Sequence, residues 1–318
     1  MSVTLNVLVS LSFCLDSVIS MPAKWHIPFF AKELVFVVAL LVSGAVPPCS
    51  QAQQHYTVAD ELADAEWATN RVAEGVTWRH TQVGRLFGLP QSLNVVEVDL
   101  TVRDIEIDVV SADSGRVRTS ALARQAGAVA AVNGSFFDIE GGGETVVFSQ
   151  RDGRLLKRSP QNAPSAFRSE AAVAARRDGD ATVIRRDGAS WGASLPAYED
   201  VLASGPLLLW KAQPMAWQPV AFNVTHHPRT ALGVTEDERL LLVTVDGRAP
   251  QAAGLTMREL AWVMQGLGGT AALNLDGGGS TTMWIKGRGV VNHPSDNGAF
   301  DHEGERAVAN AVVVRISE

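Results

Sequence analysis

The sequence predicts an α+β fold: a mixed, largely antiparallel β-sheet core with a few packed helices, in a single domain. Three observations lead there. Short apolar stretches of strand length recur along the chain, punctuated by Asp-Gly pairs at 152–153, 178–179, 187–188 and 246–247. A period of two sets in at Val95, where Val96, Val98, Leu100 and Val102 alternate with Glu97, Asp99 and Thr101. Only one helix is strongly signalled, and it feeds an almost wholly apolar strand, Ala271 to Leu275, expected to be buried on both faces.

Taken in order, residues 57–74 are rich in Ala, Glu and Asp, with Leu62, Trp67 and Val72 on an apolar stripe. This predicts a helical lead-in within 53–89, ahead of the main domain at 90–318. After Arg103-Asp104, the positions Ile105, Ile107 and Val109 repeat the alternation, which predicts an antiparallel hairpin with the preceding strand. Further strands are expected at 128–132, 145–149, 181–185, 206–210, 239–245, 271–275 and 308–316. Residues 158–200 are rich in Ser, Arg and Asp and read as an insertion or a mobile flap. The signalled helix opens on a capping box, Thr256 at N-cap and Glu259 at N3. Met257, Leu260, Ala261, Met264 and Leu267 form its apolar face, and Gly266, Gly268 and Gly269 end it.

Residues 1–52 read as a leader. An uncharged apolar run at 34–46 follows Lys24 and Lys32, and Ser50-Gln51-Ala52 places small residues before a cut after Ala52. Met21 is an alternative start. The run is shorter than the ~20 residues of a membrane span, so the expectation is a secreted or periplasmic protein with no membrane span in the mature chain, a retained anchor being the alternative. Both cysteines, Cys14 and Cys49, precede the cut. A mature chain without cysteine has no disulfide framework, thiolate nucleophile or cysteine-based zinc site.

Of 318 residues, 46% are apolar and 19% charged, which excludes a wholly disordered chain. The net charge of -7 argues against a nucleic-acid partner.

Four clusters carry chemistry. In Asn274-Leu275-Asp276-Gly277-Gly278-Gly279-Ser280-Thr281-Thr282, a buried strand ends in an acid, three glycines and three hydroxyls. Glycines let backbone N–H groups converge on an anion, and Asp276 is a candidate base, nucleophile or metal ligand. A tight turn with a capping Asp is the plainer reading. Asn133-Gly134-Ser135-Phe136-Phe137-Asp138 sets polar groups beside two aromatics, as a sugar face requires, or is a turn with core phenylalanines. Arg229 offers a planar fork for phosphate or carboxylate. Glu305-Arg306 enters the last strand, as a site acid or a salt-bridged strand start.

In order, Asn133-Gly-Ser-Phe-Phe137, Ser204-Gly-Pro-Leu-Leu208, Arg229-Thr-Ala-Leu-Gly233, Val245-Asp-Gly-Arg248, Asn274-Leu-Asp-Gly-Gly-Gly-Ser-Thr-Thr-Met283 and Glu305-Arg-Ala-Val-Ala-Asn-Ala311 resemble the phosphodiester glycosidase family. The resemblance spans residues 90–318. It implies an exported hydrolase that cleaves a sugar-1-phosphodiester at the anomeric carbon, giving free sugar and a phosphomonoester. On that reading Arg229 clamps the phosphate, helped by the N–H groups of Gly277, Gly278 and Gly279 and the hydroxyls of Ser280 and Thr281. Asp276 is the first carboxylate, and Asp138, Glu305 and Asp246 are candidates for the second. Asn133 bonds a sugar hydroxyl while Phe137 or Phe136 stacks on the ring. The expected partner is a glycan or sugar-phosphodiester. No metal ligands with ordered spacing are present, and Ca²⁺ or Mg²⁺ is the only cofactor to consider. The alternatives are a phosphodiesterase that cleaves the P–O bond and a non-catalytic envelope-glycan-binding module. The family's eukaryotic member carries cysteine-rich regions and a membrane anchor after its catalytic domain, which this sequence lacks.

Overall fold

In the computed structural model, the described residues are 58–158, 166–186, 191, 195 and 197–317. The leader, its cut after Ala52 and both cysteines lie outside them. All strand pairs described below are antiparallel, as the recurrent short strands and tight turns predict.

An eight-stranded sheet forms the frame. Its strands lie in the order Ala68–Ala73, Val76–Leu86, Leu89–Asp99, Arg239–Val245, Arg229–Thr235, Gly269–Asn274, Leu207–Trp210 and Gln213–Pro214. Its central strands are buried on both faces because both faces are apolar. On Leu89–Asp99 and Arg239–Val245, Val96, Val98, Leu240 and Leu242 join one core cluster. The intervening Leu93, Val95, Leu241, Val243 and Val245 join a second, against helix Met257–Gly266. Each leucine so buried contributes about 1.5–3 kcal/mol. The helix begins as the sequence predicts: Glu259 N–H donates to Thr256 Oγ1 and Thr256 N–H donates to Glu259 Oε2.

A five-stranded sheet ordered Ala181–Arg185, Ala171–Ala175, Asp200–Ser204, Ser149–Arg151, Arg154–Lys157 packs on the first core cluster. A second five-stranded sheet is ordered Gly289–Val290, Met283–Ile285, Ala130–Asn133, Asn310–Ile316, Ile105–Ser111. Helix Thr119–Gln125 contributes to a third, smaller cluster with Phe137, Trp284 and Val308. A short ribbon joins Ala307–Val308 to Val117–Arg118.

Three local expectations are corrected. Among the described residues, the helical lead-in covers only 58–63, and 68–86 form a β-hairpin at the edge of the large sheet. Gly75 turns that hairpin at φ +67°, and a Cβ there would stand 2.8 Å from Val102 Cγ2. The hairpin expected around Arg103-Asp104 does not form. Leu89–Asp99 is an interior strand between Val76–Leu86 and Arg239–Val245, whereas Ile105–Ser111 crosses to another sheet and pairs with Asn310–Ile316. Two apolar faces need neighbours on both edges, which one hairpin partner cannot supply. Finally, the flap expected at 158–200 holds an interior strand: every residue of Ala171–Ala175 is buried. Alanine is small enough for close sheet packing and too weakly apolar to announce it.

Candidate active site

The site forms where strands Ala130–Asn133, Arg229–Thr235 and Gly269–Asn274 bring their ends together. Asn133 is the hub. Its Oδ1 accepts from Thr230 Oγ1 at 2.7 Å and from the Thr282 N–H at 3.0 Å. Its Nδ2 donates to the Asp276 carbonyl at 2.7 Å. Asp276 N–H in turn donates to Gly134 O at 3.0 Å. The peptide carrying Asp276 is therefore fixed from both sides, which leaves the carboxyl as the variable group. Asn133 is fully buried and spent on this scaffold, so it does not present its amide to a sugar.

The Asp276 carboxyl is half-buried, and its Oδ1 accepts from the Gly277 N–H at 3.0 Å. Desolvation pushes its pKa above the ordinary carboxylate range. Ser280, the Gly277 N–H and the charges of Arg306 and Arg168 pull the other way, although Ser280 Oγ makes no hydrogen bond of ordinary geometry.

The glycine loop is built for close approach rather than as an anion nest. Gly277 N–H is turned to Asp276 Oδ1, and Gly278 N–H donates to Pro228 O at 2.8 Å. Gly278 sits at φ +62°, and a Cβ on it would stand 2.9 Å from an Arg248 terminal nitrogen. A Cβ on Gly279 would overlap Asp296 Oδ1 and Arg306 Nη2. Arg306 chelates Asp296 through Nε and Nη2 at 2.6 and 2.7 Å. Arg248 is exposed, takes φ +63° and reaches Ser295 Oγ at 3.3 Å. The guanidinium of Arg168 lies over the Phe136 ring, 5.0 Å from its centroid. Arg168, Arg248 and Arg306 thus gather around Asp276 and its loop, and none of the three stood among the residues first expected at the site. The motifs Val245-Asp-Gly-Arg248 and Glu305-Arg306 held the signal for two of them. What was hidden is which member of each motif faces the loop.

Arg229 is brought to the loop but behind it. It is 1% exposed, with Nε donating to Leu255 O at 2.8 Å and Nη2 donating to Phe222 O and Thr225 O, each at 2.9 Å. Burial, then the nearby Arg248 charge, lowers its pKa to about 9, against the pull of Glu259. A fork committed to three backbone carbonyls holds the 222–229 and 255 segments together.

The remaining expected residues fall into structural places. Phe137 is 6% exposed and packs with Leu122, Ala123 and Trp284, with no face for a sugar ring. Asp138 is exposed and accepts from the Gly141 N–H at 2.9 Å, closing its own turn. Glu305 accepts from Ser120 N–H at 2.6 Å and Ser120 Oγ at 2.7 Å. It caps helix Thr119–Gln125, which has no side-chain cap of its own. Asp246 is fully buried and accepts from Ser92, Asn292 and the His293 N–H. The hydroxyls of Thr281 and Thr282 are buried without hydrogen-bond partners. Among the described residues, no group of three or more His, Cys, Asp or Glu is placed to hold a metal ion, and no helix is long and apolar enough to cross a membrane.

Comparison with known proteins places this geometry in context. A prophage-derived uncharacterized protein of Bacillus subtilis (strain 168), YomE, is 34% identical over 103 residues, which cover 32% of this chain and only 14% of that protein. A hypothetical protein from Synechocystis shares the fold with a TM-score of 0.64 at 17% identity, over 80% of this chain and 64% of the other. The catalytic domain of zebrafish N-acetylglucosamine-1-phosphodiester α-N-acetylglucosaminidase, auto-inhibited by its pro-peptide, shares it with a TM-score of 0.60 at 20% identity, over 81% of this chain and 86% of the other. The sequence model of the phosphodiester glycosidase family matches residues 126–315, a span that holds Asn133, Arg229, Asp276 and Arg306 together, and the chain belongs to that family.

Proposed function

We propose that this protein hydrolyses a sugar-1-phosphodiester at the anomeric carbon, releasing free sugar and a phosphomonoester. The observation that carries this reading is the half-buried carboxyl of raised pKa, Asp276, with the charges of Arg306 and Arg168 acting on it and Arg248 set against the adjoining glycine loop. The arginines suit a phosphate, whose charge they hold through planar, charge-assisted hydrogen bonds. The carboxyl suits proton transfer, because a pKa moved toward neutrality improves a general base. In the proposed step, water oxygen bonds to the anomeric carbon as the bond to the phosphate oxygen breaks. The water proton passes to Asp276 and then to solvent. The departing phosphomonoester is a good leaving group, so one acting carboxylate suffices where an alcohol would need a second as acid. The clamp role expected of Arg229 passes to the exposed Arg248, while Arg306, its Nε and Nη2 held on Asp296, and Arg168 add positive charge at the loop. Export through the 1–52 leader completes the proposal.

The test is release of free sugar from UDP-GlcNAc and methyl-phospho-GlcNAc by the full chain, with Asp276→Asn and Arg248→Ala alongside. Turnover lost in Asp276→Asn with circular dichroism unchanged supports the reading. Turnover indifferent to Asp276 overturns it. Hydrolysis in ¹⁸O water places label in the sugar on this mechanism and in the phosphate on P–O cleavage.

A further inference from the structure

A cavity lies beside Glu170, two residues after Arg168. Its volume is about 220 Å³, and Glu170, Arg185, Arg186, Leu207, Met215 and Trp217 line it. Drug-sized ligands occupy pockets of roughly 300–1,000 Å³, so this cavity takes a single small ring rather than a nucleotide. Its walls are held by regular structure. Arg185 pairs with Ala171 in the second sheet, and the Arg186 N–H donates to Glu170 O at 3.0 Å. Leu207 N–H donates to Glu170 Oε2 at 3.3 Å, and Trp217 Nε1 donates to Leu207 O at 2.9 Å. The indole is thereby pinned with its ring against the cavity.

The chemistry of the lining is specific. Both arginine charges act on the Glu170 carboxylate, lowering its pKa against the rise from burial, and among the described residues neither guanidinium makes a hydrogen bond or a close ion pair. Two cations against one carboxylate leave the lining with a net positive charge, and a guanidinium's planar fork suits a carboxylate or phosphate. Trp217 and Met215 give an apolar wall suited to the carbon face of a sugar, and Glu170 adds a carboxylate acceptor to the lining. The two sites share a scaffold: Arg168 lies in the turn Ala166–Ser169, and Glu170 follows it directly.

We infer that this cavity is a second subsite, which binds an acidic saccharide unit bearing a carboxylate or a phosphate. The inference deepens the glycosidase reading and rests on it for the choice of a saccharide, since it assigns the substrate an anionic sugar besides the one that is cleaved.

Calorimetric titration of the full chain carrying Asp276→Asn tests it without turnover. The probes are glucuronate, glucose 6-phosphate, glucose and inorganic phosphate. Binding of at least one anionic sugar, weakened tenfold or more by Arg185→Ala/Arg186→Ala and by Trp217→Ala, is the expected result. Glucuronate alone identifies a uronate unit, and glucose 6-phosphate alone identifies a sugar phosphate. Trp217→Phe keeps a ring and retains most of the affinity, which separates loss of stacking from loss of fold. No binding, binding unchanged in the double arginine variant, or inorganic phosphate binding as tightly as the sugar phosphate overturns the inference. The sugar-release assay stands apart, because its substrates carry no second acidic sugar: it can succeed while this inference fails.

Discussion

Asp246 Oδ2, fully buried two residues before Arg248 in the chain, lies 2.9 Å from His293 Nδ1. The same carboxylate accepts from Ser92 Oγ at 2.6 Å, Asn292 Nδ2 at 3.1 Å and His293 N–H at 2.8 Å. One buried acid thus ties the end of strand Arg239–Val245 to the start of the segment that delivers Ser295 to Arg248 and Asp296 to Arg306. His293 is further held by the Phe300 ring, stacked at 3.7 Å. Asp246→Ala leaves several buried donors unpaired, and each costs about 1–3 kcal/mol. We expect a loss of at least about 3 kcal/mol in urea unfolding. Asp246→Asn should lose less, because the amide oxygen still accepts.

Arg229 and Arg248 should separate by assay. Arg229→Ala removes three hydrogen bonds to carbonyls from a buried position and is expected to destabilise by about 3 kcal/mol or more. Arg248→Ala removes an exposed side chain and should change stability by less than about 0.5 kcal/mol. Its loss of one charge-assisted phosphate contact, worth about 1.5–3 kcal/mol, predicts a fall in kcat/KM of roughly 10- to 150-fold. Thermal melts beside kinetics on one substrate decide both.

The pH dependence of stability follows from Asp276. Its folded pKa is raised by desolvation above the unfolded value of a carboxylate. Between the two values the folded state binds more protons than the unfolded, so stability falls as pH rises from the unfolded pKa through the folded one, then levels. Asp276→Asn should remove that fall and be the more stable protein at neutral pH. Urea midpoints from pH 3 to 8 for both proteins check the sign. A profile for Asp276→Asn that parallels the parent shows that Asp276 is not the group responsible.

Gly279→Ala tests close packing at the loop. The added methyl would overlap Asp296 Oδ1 and Arg306 Nη2, so the Arg306–Asp296 pair must move. Activity should fall at least tenfold, with circular dichroism retained. A Gly→Ala control at Gly84, where φ is not positive and a Cβ meets nothing within 4 Å, should leave activity unchanged.

Glu305→Gln tests a helix cap. Both carboxylate oxygens accept from Ser120 at the start of helix Thr119–Gln125. Losing the charge should cost about 1 kcal/mol of stability and leave sugar release nearly unchanged. A large loss of turnover with an unchanged melt would return Glu305 to the chemistry.

What could be read from the sequence was local. The Thr256–Glu259 capping box, the alternation along the strands and the Asp-Gly turns act within a few residues of the chain, and the fold class and the helix before the glycine loop follow from them. The motif order likewise pointed to the family. Other features depend on partners far away in sequence. Strand Leu89–Asp99 is interior because Arg239–Val245 pairs with it, not because of its own alternation. Asn133 is a scaffold residue because Thr230 and Thr282 meet it. Adjacent residues on an extended chain point to opposite sides. Only the register that sets Glu305 on Ser120 turned Arg306, rather than its neighbour, toward Asp276.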